Sequence, residues 1–107
     1  MTTFDKREEG FEKQFAHDEE LRFKATARRN KLLGLWAAQK MRLSRAEAEA
    51  YAKEVVTGDL EKPGEDDVFR KIRRDFDAHG VNVSDHQIRR TMTELMANAI
   101  EQIKAGR

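Results

Sequence analysis

The segment Asp18–Met41, DEELRFKATARRNKLLGLWAAQKM, contains no proline and a single glycine, Gly34. Leu21, Ala25, Leu32, Leu35, Trp36 and Ala37 recur at helical spacing, with Arg28 and Gln39 on the same spiral, so the segment reads as a helix and not as a strand. Such a helix would be about 30 Å long, the width of a small domain. Its second half, Leu32–Ala38, is apolar nearly all round, which requires other helices to cover it. The single tryptophan, Trp36, sits there and is expected to fill the core.

Three more helices follow. Ser44-Arg45-Ala46-Glu47 is a capping box that starts the second, with Ala46, Ala50, Tyr51 and Val55 as its apolar stripe and Thr57-Gly58 as its expected end. Asp59–Gly64, with Pro63, reads as a loop. Glu65-Asp66-Asp67 opens the third helix, where three acids suit the positive end of the dipole better than they suit a calcium loop. Val68, Phe69, Ile72, Phe76 and His79 form its stripe, and Gly80 is placed to terminate it with Val81 folding back on Phe76. Ser84-Asp85-His86-Gln87 is a second capping box, flanked by Val83 and Ile88 as a hydrophobic staple. Ile88, Met92, Leu95, Met96, Ala99 and Ile103 then give the fourth helix one apolar face. The expected fold is all-α: a small antiparallel four-helix bundle over 18–107, with helices at about 18–41, 45–57, 65–79 and 85–105.

Residues 1–17 read differently. Phe4, Phe11 and Phe15 share one face if the segment is helical, but Gly10 and the like-charge pairs Asp5–Glu9 and Glu8–Glu12 disfavour that helix. A frayed segment with an aromatic stripe is expected, suited to ordering on a partner.

Composition narrows the function. Lys and Arg total 21 against 20 Asp and Glu, a net charge of +1, which lacks the basic excess usual in nucleic-acid binders. The absence of cysteine removes disulfides, thiolate nucleophiles and zinc–cysteine sites. His17, His79 and His86 lack helical ligand spacing, and neither a phosphate loop nor a nucleophile elbow is present, so neither a metal site nor catalysis is expected. Leu32–Ala38 is too short to span a bilayer, and with no apolar leader-like run at the start a cytoplasmic location is expected. The basic clusters Arg28-Arg29-Lys31, Arg70-Lys71-Arg73-Arg74 and Arg89-Arg90 read first as solvated faces. The alternative is a helix-turn-helix-like DNA-binding domain in which Arg89 and Arg90 enter a groove.

The run Phe4–Asp18, FDKREEGFEKQFAHD, and the run Leu21–Ala38, LRFKATARRNKLLGLWAA, resemble the ζ subunit of alphaproteobacterial F1FO-ATP synthases, and the resemblance extends to Asp85-His86-Gln87-Ile88. It implies a regulatory inhibitor rather than an enzyme. The N-terminal segment of that family enters a catalytic interface of the F1 sector and blocks rotation in the hydrolytic direction. Phe4, Lys6, Arg7, Glu8, Glu9, Phe11, Lys13 and Phe15 match that pattern and become the partner-binding candidates. The implied partners are the α, β and γ subunits of F1, reached from the cytoplasmic face of the inner membrane by a protein that is monomeric when free, with no nucleic acid and no membrane insertion. No cofactor is required. ADP or ATP is implied as a regulatory ligand, and a primarily nucleotide-sensing module is a further alternative. Without a phosphate loop that site must be built from side chains, for which Arg28, Arg29, Lys31, Arg73 and Arg74 are the candidates.

Overall fold

The computed structural model describes residues 19–106. Its helices are α1 (Glu19–Lys40), α2 (Arg45–Glu61), α3 (Glu65–Ala78) and α4 (Asp85–Lys104), with no strand among the described residues. Side-chain pairings give the direction of each neighbour. Gly34 of α1 lies against Ala52 of α2 while Asn30 reaches Asp59. Tyr51 and Glu54 of α2 meet Asp75 and Lys71 of α3. Arg73 and Asp66 of α3 meet Asp85 and Arg89 of α4. Each successive pair is therefore antiparallel, and α1 also packs along α4. This is the expected four-helix bundle.

Burial explains why α1 is central. Ala25, Arg29, Leu33, Ala37 and Met41 form one buried row, and Asn30, Gly34 and Ala38 form the row beside it. Two rows are needed because α1 packs on both α2 and α4. The expected stripe is corrected here: Leu21, Leu32 and Leu35 are only partly buried, while Leu33 is fully closed. Leu33 joins Val55, Ile72, Phe76, Ile88 and Met92 in the core. Trp36 packs on this cluster as expected, its ring tilted on Phe76 with centroids 5.6 Å apart.

Small residues set the closest approach. A Cβ built on Gly34 would lie 2.5 Å from the Cα of Ala52. Ala52 makes the close approach of α2, and Ala46 and Ala50 of the expected stripe are exposed instead.

The helix ends follow local chemistry. Ser44 and Glu47 form the full reciprocal box, with the Glu47 amide donating to Ser44 Oγ (3.2 Å) and the Ser44 amide donating to Glu47 Oε1 (2.9 Å). The hydrogen bond from the Ser44 backbone holds the Glu47 carboxyl below its ordinary value. A lowered folded-state value means that this half of the cap contributes above the ordinary glutamate range and is lost as pH falls through the lowered one. At Ser84 the hydroxyl half is present, accepting from the Gln87 amide at 3.1 Å. Val83 and Ile88 are both buried, as a staple requires. Gly80 has φ 66° and lets the Val81 amide reach the Phe76 carbonyl at 2.9 Å, the expected glycine cap. His79, expected on the buried stripe, is exposed at this cap.

α1 ends in the same geometry, with the Leu43 amide donating to the Ala38 carbonyl at 3.0 Å, but Arg42 holds the left-handed position at φ 58°. An L side chain there costs about 1–2 kcal/mol. Arg42→Gly is therefore expected to raise stability by about 0.5–1 kcal/mol after the added chain entropy is counted, read as a higher urea midpoint at unchanged slope.

The expected end of the second helix at 57 is corrected. α2 runs through Gly58 to Glu61 and closes where the Lys62 amide donates to the Gly58 carbonyl. Asp59, Leu60 and Glu61 extend the helix, and the stop comes instead at Pro63-Gly64, whose glycine takes φ 155°. Gly58 is thus a helix-interior glycine, and a Cβ there would meet nothing within 4 Å. Gly58→Ala is expected to stabilise the protein by about 1 kcal/mol in urea unfolding.

Candidate functional site

Of the open clefts among the described residues, three are bordered by the candidate basic residues. The first lies between α2 and α3, about 270 Å³, lined by Val55, Gly58, Asp59, Lys62, Asp67, Val68, Arg70, Lys71 and Arg74. The second, about 660 Å³, lies between α1, the α2–α3 loop and α4, with Arg22 and Arg29 near Met96 and Ile100. The third, about 640 Å³, brings Phe23, Arg28 and Lys31 of α1 to Val56 and Ile103.

The sequence-derived cations are divided among them. Arg28 and Lys31 share the third cleft, Arg28 donating to Gln102 Oε1 at 3.3 Å. Arg29 lines the second, and Arg74 lines the first. Arg73 belongs to none of these three. It clamps the α3–α4 turn by donating to the Val83 carbonyl (2.6 Å), Asp85 (3.0 Å) and Asp77 (2.8 Å). The eight partner-binding candidates Phe4, Lys6, Arg7, Glu8, Glu9, Phe11, Lys13 and Phe15 lie outside the described residues, as does the expected 1–17 segment.

Among the described residues Arg29 is the one charged side chain that is buried, at 3% exposure. Its Nε donates to Asn30 Oδ1 at 2.7 Å, and its Nη1 lies 3.7 Å from Glu65. Burial lowers the guanidinium pKa, and Glu65 and Asp59 oppose that shift. Asn30 in turn donates to Asp59 Oδ2 at 2.8 Å, and Asp59 Oδ1 accepts from the Gly64 amide at 3.1 Å. The chain Arg29–Asn30–Asp59–Gly64 thus ties α1 to the end of α2 and to the start of α3. Hydrophobic spacing does not reveal it, because two polar residues occupy buried positions. The only sequence signal is that Arg29 and Asn30 continue the rows of Leu33 and Gly34.

A second polar cluster locks α2 to α3. The Tyr51 hydroxyl donates to Asp75 Oδ2 at 2.6 Å. Lys71 Nζ donates to Asp75 and Glu54, both at 3.1 Å, and stands 5.0 Å over the Tyr51 ring. Burial raises the Tyr51 pKa, and the bond to Asp75 raises it further, so the phenol stays a donor across the physiological range.

The residues of the DNA-binding alternative are engaged within the bundle. Arg89 lies 4.0 Å over the Phe69 ring and pairs with Asp66 at 2.9 Å, and Arg90 pairs with Glu94 at 3.1 Å. Among the described residues no three His, Asp or Glu side chains are grouped as a metal ion would need, and no helix is long and apolar enough to cross a membrane.

The polar clusters thus serve the bundle, and the clefts are lined by apolar and charged side chains together. Comparison with known proteins bears on what it binds. No curated protein matches the chain. A solved structure, a solution NMR structure, is 42% identical, covers 81% of this chain and 99% of its own, and superposes with a TM-score of 0.70. A model of the ATPase inhibitor subunit zeta family matches residues 1–102, nearly the whole chain, and the chain therefore belongs to that family of ATPase inhibitor subunits.

Proposed function

We propose that this protein blocks ATP hydrolysis by the F1 sector of ATP synthase by inserting residues 1–17 into a catalytic interface formed by the α and β subunits beside γ. Phe4, Phe11 and Phe15 are the apolar anchors, and Lys6, Arg7, Glu8, Glu9 and Lys13 set the polar register. The observation that carries this reading is the match to the ATPase inhibitor family over residues 1–102, which takes in the N-terminal segment as well as the helical body in which Leu33, Val55, Ile72, Phe76, Ile88 and Met92 are fully buried. The aromatic stripe of Phe4, Phe11 and Phe15 has the spacing by which a helix is read in a partner's groove. The bundle then acts as a bulky stop that keeps an inserted helix from passing through the interface. The protein performs no chemistry of its own and works as a monomer docked on the cytoplasmic face.

The anchors test this. Replacing both Phe11 and Phe15 by alanine is expected to weaken inhibition of isolated F1 at least tenfold, since buried aromatic anchors carry about 2 kcal/mol or more each at interfaces. An unchanged inhibition curve overturns the reading. Regulation by ADP or ATP bound to the bundle is part of the same proposal, supported by the basic clefts. Arg28, Arg29, Lys31, Arg73 and Arg74 do not share one cleft, so a nucleotide engages a subset of them.

A further inference from the structure

The core does not use the whole apolar face of α4. Ile88, Met92 and Ala99 are buried, but Met96 and Ile100 are only half-buried and stand outside the cluster around Phe76. They line the open cleft of about 660 Å³ between α1, the α2–α3 loop and α4, and Arg22 and Arg29 line it from α1.

Arg29 is only half satisfied there. Its side chain is 4% exposed, and its Nε is taken by Asn30 at 2.7 Å. Its two Nη atoms make no hydrogen bond among the described residues, and Glu65 stands 3.7 Å from Nη1, beyond hydrogen-bond reach. No fully enclosed side-chain nitrogen or oxygen among the described residues lacks a partner, so these Nη atoms open onto the cleft. A guanidinium with a sealed stem and an open fork is preset for a carboxylate, which takes two parallel N–H···O bonds. Arg22, exposed at the cleft, makes no ion pair among the described residues and adds a second cation. Of the two carboxylates that line the cleft, Asp59 already accepts from Asn30 and from the Gly64 amide, one bond to each oxygen. Glu65 is left as the local competitor for Arg29. The position of the cleft bears on what reaches it. Arg22 is five residues beyond residue 17, so at most about 18 Å of chain separates the two. A surface that receives residues 1–17 therefore comes within reach of Arg22.

We propose that this cleft is a second docking site for F1, taking an aspartate or glutamate side chain and its apolar neighbour from the rim of the interface that receives residues 1–17. The Arg29 fork and Arg22 hold the carboxylate in place of Glu65, and Met96 and Ile100 cover the apolar neighbour. The identity of the partner rests on the inhibitory reading above, and the preference for a carboxylate beside an apolar group rests on the cleft alone.

The experiment uses the full chain, labelled at its methionine methyls and titrated with isolated F1, beside inhibition curves for variants. The Met96 methyl is expected to shift saturably, while those of Met41 and Met92, buried in the core, hold their positions. Arg22→Gln/Met96→Gln is expected to raise the half-inhibiting concentration at least tenfold. Glu65→Gln is expected to lower it at least twofold, since it removes the competing carboxylate. These side chains are exposed or half-buried, and a thermal melt by circular dichroism close to the parent's shows that the variants remain folded. Inhibition by the parent with no Met96 shift, or undiminished inhibition by the double variant, overturns the docking site and leaves insertion of residues 1–17 standing. A saturable Met96 shift without inhibition supports the site and removes the inhibitory reading. A Met96 methyl that moves with protein concentration alone gives the cleft to a second copy of the chain and overturns the proposal. One that moves in Phe11→Ala/Phe15→Ala before F1 is added gives it to the chain's own front segment, and overturns it too.

Discussion

Gly34→Ala is expected to lower the stability of the bundle by about 2 kcal/mol, although alanine is the better helix former by about 1 kcal/mol. The added Cβ would come 2.5 Å from the Cα of Ala52, a backbone atom that cannot step aside as a side-chain tip could. The only relief is to push α1 and α2 apart. That separation loosens the rows on either side of the contact, including the Asn30–Asp59 hydrogen bond that ties α1 to the end of α2. In a domain of this size the loss corresponds to a fall in melting temperature of about 10 °C, measured by circular dichroism. A melting temperature equal to or above that of the parent protein would mean that the helices do not cross where the structure puts them. The contrast with Gly58→Ala, expected to act in the opposite direction, makes the pair an internal control.

Phe76→Ala is expected to have the largest effect on folding, about 4 kcal/mol. Phe76 is fully buried, contacts Trp36 through a tilted ring pair, and provides the carbonyl that caps α3 through Val81. Deleting the ring leaves a cavity with Leu33, Ile72 and Ile88 around it, in a core that cannot collapse without moving α3. Domains of about this length have total stabilities of roughly 5–15 kcal/mol, so this one change removes a large part of the whole. Trp36 is the built-in reporter: its emission is expected to shift to the red as denaturant rises, with a midpoint far below that of the parent. A midpoint reduced by less than about 1 kcal/mol of equivalent stability would show that Phe76 is not the centre of the core.

These two residues also show what the sequence discloses and what it withholds. Phe76 is legible, because Val68, Ile72 and Phe76 alternate with charged residues and only one face of that helix is apolar. The starts at Ser44 and Ser84 and the glycine stop at Gly80 are legible for the same reason: each is local chemistry within a few residues. Gly34 is not, since the segment around it is apolar nearly all round and periodicity cannot say which row faces which neighbour. Leu33 displaces Leu32 and Leu35 in the core on those grounds. Gly58 misleads because a glycine after Thr57 looks like a cap, and only the three helix-compatible residues that follow, then Pro63-Gly64, show where α2 ends. The buried Arg29 and Asn30 run against hydrophobic patterning, and the cleft between α2 and α3 joins Lys62 to Arg74 from different helices, a proximity that no spacing encodes. The family resemblance reaches residues 1–17, where periodicity gives only an aromatic stripe.

The proposed mode of inhibition needs a body that folds by itself and a front segment that acts on another molecule. The direct measurement is ATP hydrolysis by isolated F1, titrated with the full chain and with residues 18–107 alone, alongside circular dichroism of both. The full chain is expected to inhibit, and the shortened one to keep its helical melt while losing inhibition at every concentration tested. A shortened chain that stays folded and still inhibits with undiminished potency would contradict the account, because the body would then be the inhibitor.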